Sequence, residues 1–208
     1  MEVLNYLNSN RALMLDELIP YLNSRFSRSS IPLNREGIIK IVKSFIERNL
    51  IVEGSKLSKE EILLNEKRSR IYNYIAKNPG VYYYNIMKTL ELSSHVVIWH
   101  LNILLEFDYI KKSNIDNHDI YFENRLDLDT VKISYYLKNE KCIQIIDHLK
   151  SKHLGDTKTS MARNLNMHPN TIKKYINILE DLEIVLKTKE SNTTIYLLNE
   201  VHLEKYKI

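Results

Sequence analysis

The sequence has one cysteine, four glycines and four prolines in 208 residues. A lone thiol rules out an intramolecular disulfide, and Cys142 in "KCIQIIDHL" is expected to be a buried core residue against Ile145, Ile146 and Leu149. Scarce Gly and Pro argue against a turn-rich all-β fold, and plentiful Ile, Leu, Lys, Asn and Tyr favour a mainly α fold with small β-hairpins. No run approaches the roughly 18 apolar residues that a membrane span needs. The N-terminal "MEVLNYLNSNR" lacks the basic start and apolar middle of a signal peptide, so the expected location is the cytoplasm, with no membrane partner. Charge of one sign is also missing. The net charge is +4, spread as +2 over residues 1–58, 0 over 59–125 and +2 over 126–208. Any basic surface must therefore be local.

Catalytic signatures are equally scarce. There is no Gly-rich phosphate loop, no G-x-S-x-G elbow, no H-E-x-x-H and no paired-carboxylate pattern, so no enzyme and no cofactor are expected. His95 and His100 stand five apart, a poor helical spacing for one metal, and no second ligand cluster accompanies them. The run Tyr82, Tyr83 and Tyr84 suits half-buried packing with wet hydroxyls. The charged "NEKRSR" at 65–70 suggests a solvated helix face, with reach to phosphates as the alternative.

What the chain does have is repetition. At a constant shift of 75, Leu92 falls on Met167, Val97 on Ile172, Leu101 on Ile176, and Asn102-Ile103-Leu104 on Asn177-Ile178-Leu179. The match continues to Ile120-Tyr121 on Ile195-Tyr196 and Asn124 on Asn199. Each copy predicts a first helix ("KEEILLNEKRSRIYNYIAKN" or "NEKCIQIIDHLKSKH") and a Gly-containing break. A short second helix ("YYNIMKTLE" or "KTSMARNLN"), a tight turn and a longer third helix follow. Ser93 suits the N-cap of one third helix and Pro169 the first turn of the other. Two β-prone runs around a polar turn then predict a hairpin. Three helices and a hairpin make a winged helix, with the second and third helices as the helix-turn-helix and the hairpin as the wing. A shift of 59 lays "GIIKIVKSFIERNLIV" on the same pattern. That N-terminal copy carries the polar insert "SRFSRSSIPL" and only "LIVEGSKL" for a wing. Three segments follow: a degenerate module over 1–56 and winged helices over 57–125 and 126–208, joined in part by an ordered "DLDTVKISYYLKN".

Through "NPGVYYYNIMKTLELSSHVVIWHLNILLEFDYI" and "TKTSMARNLNMHPNTIKKYINILEDLEIV" the chain resembles the tandem winged helix-turn-helix, MarR/ArsR-like transcriptional regulators of prokaryotes, especially archaea. The resemblance implies double-stranded DNA as partner, with the third helix in the major groove and the wing along the backbone. The residues themselves point to the third copy as the main reader. Opposite its apolar face stand Asn170, Thr171, Lys173, Lys174 and Asn177, joined by Lys158 and Arg163 and, on the wing, Lys187 and Lys189 beside Ser191, Asn192 and Thr193. Asn suits adenine, and Lys suits phosphate or guanine.

The second copy differs. Its third helix has no Lys or Arg, and Ile98 and Trp99 replace Lys173 and Lys174. Exposed apolar residues there suit a protein interface or a homodimer contact; the alternative for Trp99 is packing on the first helix or on the neighbouring module. Ser94, His95, Asn102, Lys111 and Lys112 remain expected DNA contacts. A rival reading is an assembly subunit similar to the winged-helix adaptors of the endosomal-sorting (ESCRT) type, which does not bind DNA. RNA binding by the same fold stays open.

Overall fold

The computed structural model describes residues 1–29, 33–190 and 192–206. Residues 30–32 of the polar insert, and Ser191 of the expected third wing, lie outside them. The chain forms two compact units, Met1–Asn124 and Arg125–Ile208. It is mainly helical with small antiparallel sheets.

The first unit opens with helices α1 (Glu2–Ser9), α2 (Leu15–Phe26) and α3 (Arg35–Glu47). α3 starts where the Asn34 carboxamide oxygen accepts the Gly37 N–H at 2.8 Å, satisfying a donor that has no partner inside the helix. The three helices bury Tyr6, Leu7, Leu13, Leu18, Leu22, Ile38 and Val42 together with Ile51. Each such aliphatic side chain contributes about 1.5–3 kcal/mol on leaving water. Where a wing would follow, "LIVEGSKL" closes through a single antiparallel bridge between Ile51 and Ser58.

The periodicity of residues 59–78 predicts one continuous helix, and the structure corrects this. A 3-10 segment (Lys59–Leu64) ends at Asn65, and α4 (Glu66–Lys77) begins there. The cap at Asn65 divides the stretch. Ser58 and Glu61 form a reciprocal capping box on the first piece, and the Asn65 side chain accepts the Arg68 N–H at 3.1 Å on the second. Strand β1 (Val81–Tyr82), α5 (Tyr83–Leu90), α6 (Ser94–Glu106), β2 (Ile110–Ile115) and β3 (His118–Glu123) follow, with sheet order β1-β3-β2. Ser93 stands at the N-cap of α6, although its side chain makes no cap hydrogen bond. Asp116 and Asn117, both at positive φ, make a two-residue turn whose twist suits an antiparallel hairpin. Ile71, Ile75, Val97, Leu101, Leu104 and Phe107 form the core.

The second unit begins with α7 (Leu128–Tyr136), started by Asp127, whose carboxylate accepts the Thr130 N–H. Then come α8 (Glu140–Ser151), α9 (Lys158–Asn164), α10 (Pro169–Asp181), β4 (Val185–Glu190), β5 (Thr193–Leu198) and α11 (Glu200–Glu204). Asn139 caps α8, Thr157 caps α9 and His168 caps α10, directly before Pro169. Cys142 is fully buried with Ile145, Ile146 and Leu149.

The backbone repeats in the same register as the residues. Positive φ occurs at Gly80, Glu91 and Asp108, and 75 positions later at Gly155, Asn166 and Glu183. Asn49 stands 59 positions before Asp108 and is left-handed too. Pairing obeys the same shift: Val81 faces Tyr121 and Asp156 faces Tyr196, while Ile110 faces Glu123 and Val185 faces Leu198. Gly155 is there because nothing else fits. A Cβ on it would lie 2.6 Å from the Tyr196 carbonyl oxygen and 2.7 Å from the Ile195 Cγ2.

Candidate nucleic-acid interface

α10 is amphipathic in the simplest sense: Ile172, Ile176 and Leu179 are fully buried, and Asn170, Lys173, Lys174 and Asn177 on other faces are exposed. Thr171 is half-buried. The preceding α9 places Lys158 against the middle of α10, where its Nζ donates to the Asn177 Oδ1 at 2.7 Å. The same ammonium sits 4.9 Å from the centroid of the Tyr196 ring on β5. Helix, helix and hairpin therefore meet at one cation. A hollow of about 330 Å³ beside it is lined by Lys158, Arg163, Met167 and Pro169.

The hairpin extends the basic face unevenly. Lys187 and Lys189 are both exposed on β4, but Lys187 is ion-paired with Glu180 of α10 at 3.4 Å. Lys174 lies 5.2 Å from the ring centroid of Tyr175. Lys173 and Lys189 have no ion pair among the described residues, so their charge faces solvent. The junction between α8 and α9 fixes the frame. His148 Nε2 and Asp156 Oδ2 are 2.7 Å apart, and Asp156 pairs with Tyr196 through both backbone groups. Burial pushes the Asp156 carboxyl up, but hydrogen bonds from His148, Ser160 and Thr157 together hold it below the usual carboxylate range.

The corresponding surface of the second repeat is built differently. Ile98 and Trp99 are 46% and 56% exposed on α6, between His95 and Asn102, which are also exposed. Ser94 is half-buried and accepts the Tyr83 hydroxyl at 2.7 Å. Lys111 and Lys112 lie exposed on β2, and Lys112 is paired with Asp119 at 3.1 Å. Trp99 is exposed and yet engaged: its ring lies 5.6 Å from the Arg68 guanidinium of α4 and 4.7 Å from the His100 ring.

Arg68 is the residue that sequence reasoning misplaced. "NEKRSR" does not form a uniformly solvated face, because Arg68 is 3% exposed and donates to the Ile62 carbonyl at 3.0 Å. His100 is buried too. The role of Tyr196 beneath Lys158 was also missed, although Tyr196 belongs to the Ile-Tyr pair that the repeat preserves. Among the described residues no group of three or more His, Cys, Asp or Glu is placed to hold a metal, and no helix is long and apolar enough to cross a membrane.

No family model matches the chain. It is 34% identical over 153 residues to a protein of Methanocaldococcus jannaschii named as an uncharacterized HTH-type transcriptional regulator. The aligned part is 73% of this chain and 38% of the relative, so the chain spans well under half the length of the protein it matches.

Proposed function

We propose that the protein is a DNA-binding transcriptional regulator made of tandem winged helices, acting in the cytoplasm, in which the third repeat is the main reader of double-stranded DNA. One observation carries this reading. A polar, cationic α10 face with Asn170, Lys173, Lys174 and Asn177 adjoins Lys158 on one side and a hairpin bearing Lys187 and Lys189 on the other. That combination supplies donors for base edges and point charges for phosphates. The name of the archaeal relative supports the same class. Modules 1–56, 57–125 and 126–208 then divide the work: the first two scaffold, and Ser94, His95, Asn102, Lys111 and Lys112 add shallow backbone contacts.

The test is binding to genomic and random duplexes over a salt titration. Affinity should fall steeply with salt, by about 0.9 log unit per log unit for each phosphate neutralised. Lys173→Glu together with Lys174→Glu should abolish retention on DNA. Absence of binding at low salt would sink the reading.

A second reading, a protein-assembly subunit, is favoured by exposed Ile98 and Trp99 on a third helix that has no Lys or Arg. In that event the Lys173 and Lys174 changes leave partner binding intact. The same surface serves a homodimer or protein partner within the first reading.

A further inference from the structure

Asn177 and Lys158 are not two independent contacts. We infer that they act as one donor-only unit that takes an acceptor of the duplex, either a phosphate oxygen or the N7/O6 edge of guanine, and that Asn177 does not read adenine. This rests on the DNA-binding reading of the same face.

The chemistry is set by what each group offers. An ammonium has only donors, so the 2.7 Å contact from Lys158 Nζ turns the amide oxygen of Asn177 toward the lysine and its NH₂ away. Reading adenine requires an Asn both to accept from N6–H₂ and to donate to N7. Here the Lys158 bond takes one lone pair of the amide oxygen and keeps the carboxamide turned toward the lysine, away from the geometry in which oxygen and NH₂ would meet one adenine edge together. Lys158 is also held from its other side by the Tyr196 ring at 4.9 Å. Tyr196 in turn is 5% exposed and fixed by reciprocal backbone bonds with Asp156 at 2.9 and 3.0 Å. What faces solvent is mainly donors, the two amide N–H groups and the remaining ammonium protons, a surface that favours acceptors over donors.

The second repeat shows that the lysine makes the difference. At the position of Lys158 it has Tyr83, whose hydroxyl goes to Ser94. Asn102, at the position of Asn177, is exposed and has no side-chain hydrogen bond among the described residues. Two asparagines in one register therefore differ in what they can accept.

The experiment selects duplexes from a randomised pool with the full wild-type chain and with Lys158→Met, Asn177→Ala and Asn177→Asp, each checked for folding by thermal melting. Met keeps a stem over Tyr196 and removes the donors; Asp keeps an acceptor for Lys158 and removes the outward N–H groups. Asn177→Asp should weaken binding about tenfold or more, because a carboxylate presents no donors. If the acceptor is guanine, the wild type selects guanine at one position and Lys158→Met shifts it to adenine. If it is phosphate, Lys158→Met and Asn177→Ala weaken all duplexes alike, and Lys158→Met reduces the salt slope by about 0.9. Selection of an adenine that Asn177→Ala relaxes and Lys158→Met leaves in place overturns the inference, as do variants that bind like wild type. A wild-type chain that binds no duplex overturns the DNA-binding reading and the inference with it.

Discussion

Arg68 Nε lies 3.5 Å from His100 Nδ1 in the interior of the second repeat, with both side chains almost wholly buried. The ring must be neutral to accept from a guanidinium. Burial, then the charges of Arg68 and Lys67, push the His100 pKa below its ordinary value of 6.5. The unfolded chain therefore binds a proton that the folded chain refuses. The contribution is whole above about pH 6.5 and is lost as pH falls below it, at up to about 1.4 kcal/mol per pH unit. Denaturant melts between pH 5 and 8 should show this slope, and His100→Gln, which keeps an acceptor and cannot titrate, should flatten it.

Gly155 and Gly54 separate two costs of a side chain. Both are left-handed, at φ +77 and +80, but a Cβ on Gly54 meets nothing within 4 Å. Gly54→Ala should thus cost only the backbone strain, about 1–2 kcal/mol. Gly155→Ala adds a clash with the Tyr196 backbone and should cost about 2–4 kcal/mol in thermal melting. Equal losses would show that the β5 strand yields freely.

Glu180 restrains Lys187 at 3.4 Å and adds negative charge beside the face proposed to bind DNA. Glu180→Gln should raise affinity for any duplex by about two- to fivefold at low salt, with the gain fading as salt is added. Filter-binding titrations at two ionic strengths measure it. Unchanged affinity would place this edge of the hairpin away from the backbone, and a loss would mean that the ion pair positions Lys187 for its contact.

Ile98→Lys with Trp99→Lys gives the second repeat the side chains found at 173 and 174 in the third. Both positions are about half exposed, so the fold should survive, with a modest fall in melting temperature from losing the Arg68–Trp99 contact. Nonspecific DNA binding should tighten, and its salt slope should steepen by up to about 2 if both lysines reach phosphates. An unchanged slope would mean that α6 does not face the duplex.

The placement of the helices and turns was legible because it depends on local grammar: apolar spacing, a break, and a turn before each of α6 and α10. Asn-Ile-Leu at 102–104 and 177–179 marks the same positions in both copies. The division at Asn65 was harder to see, since "ILLNEKRSRIYNYI" keeps a helical rhythm across it and only side-chain capping interrupts the backbone. Arg68 was misplaced because its acceptor and its covering ring come from Ile62, His100 and Trp99, up to 32 positions away. The polar face of α10 could be drawn from the 3.6-residue period. That Lys158 would claim the Asn177 oxygen could not, because the two meet across helices, 19 residues apart.

The left-handed residues at 91, 108, 166 and 183 lie at helix ends, and none lies among the outward side chains of α6 or α10. Fold and surface are thus specified by separate sets of positions. Exchanging "IW" at 98–99 for the "KK" of 173–174 touches none of these turn positions, so the charge of an exposed helix face can change while the backbone that presents it stays the same.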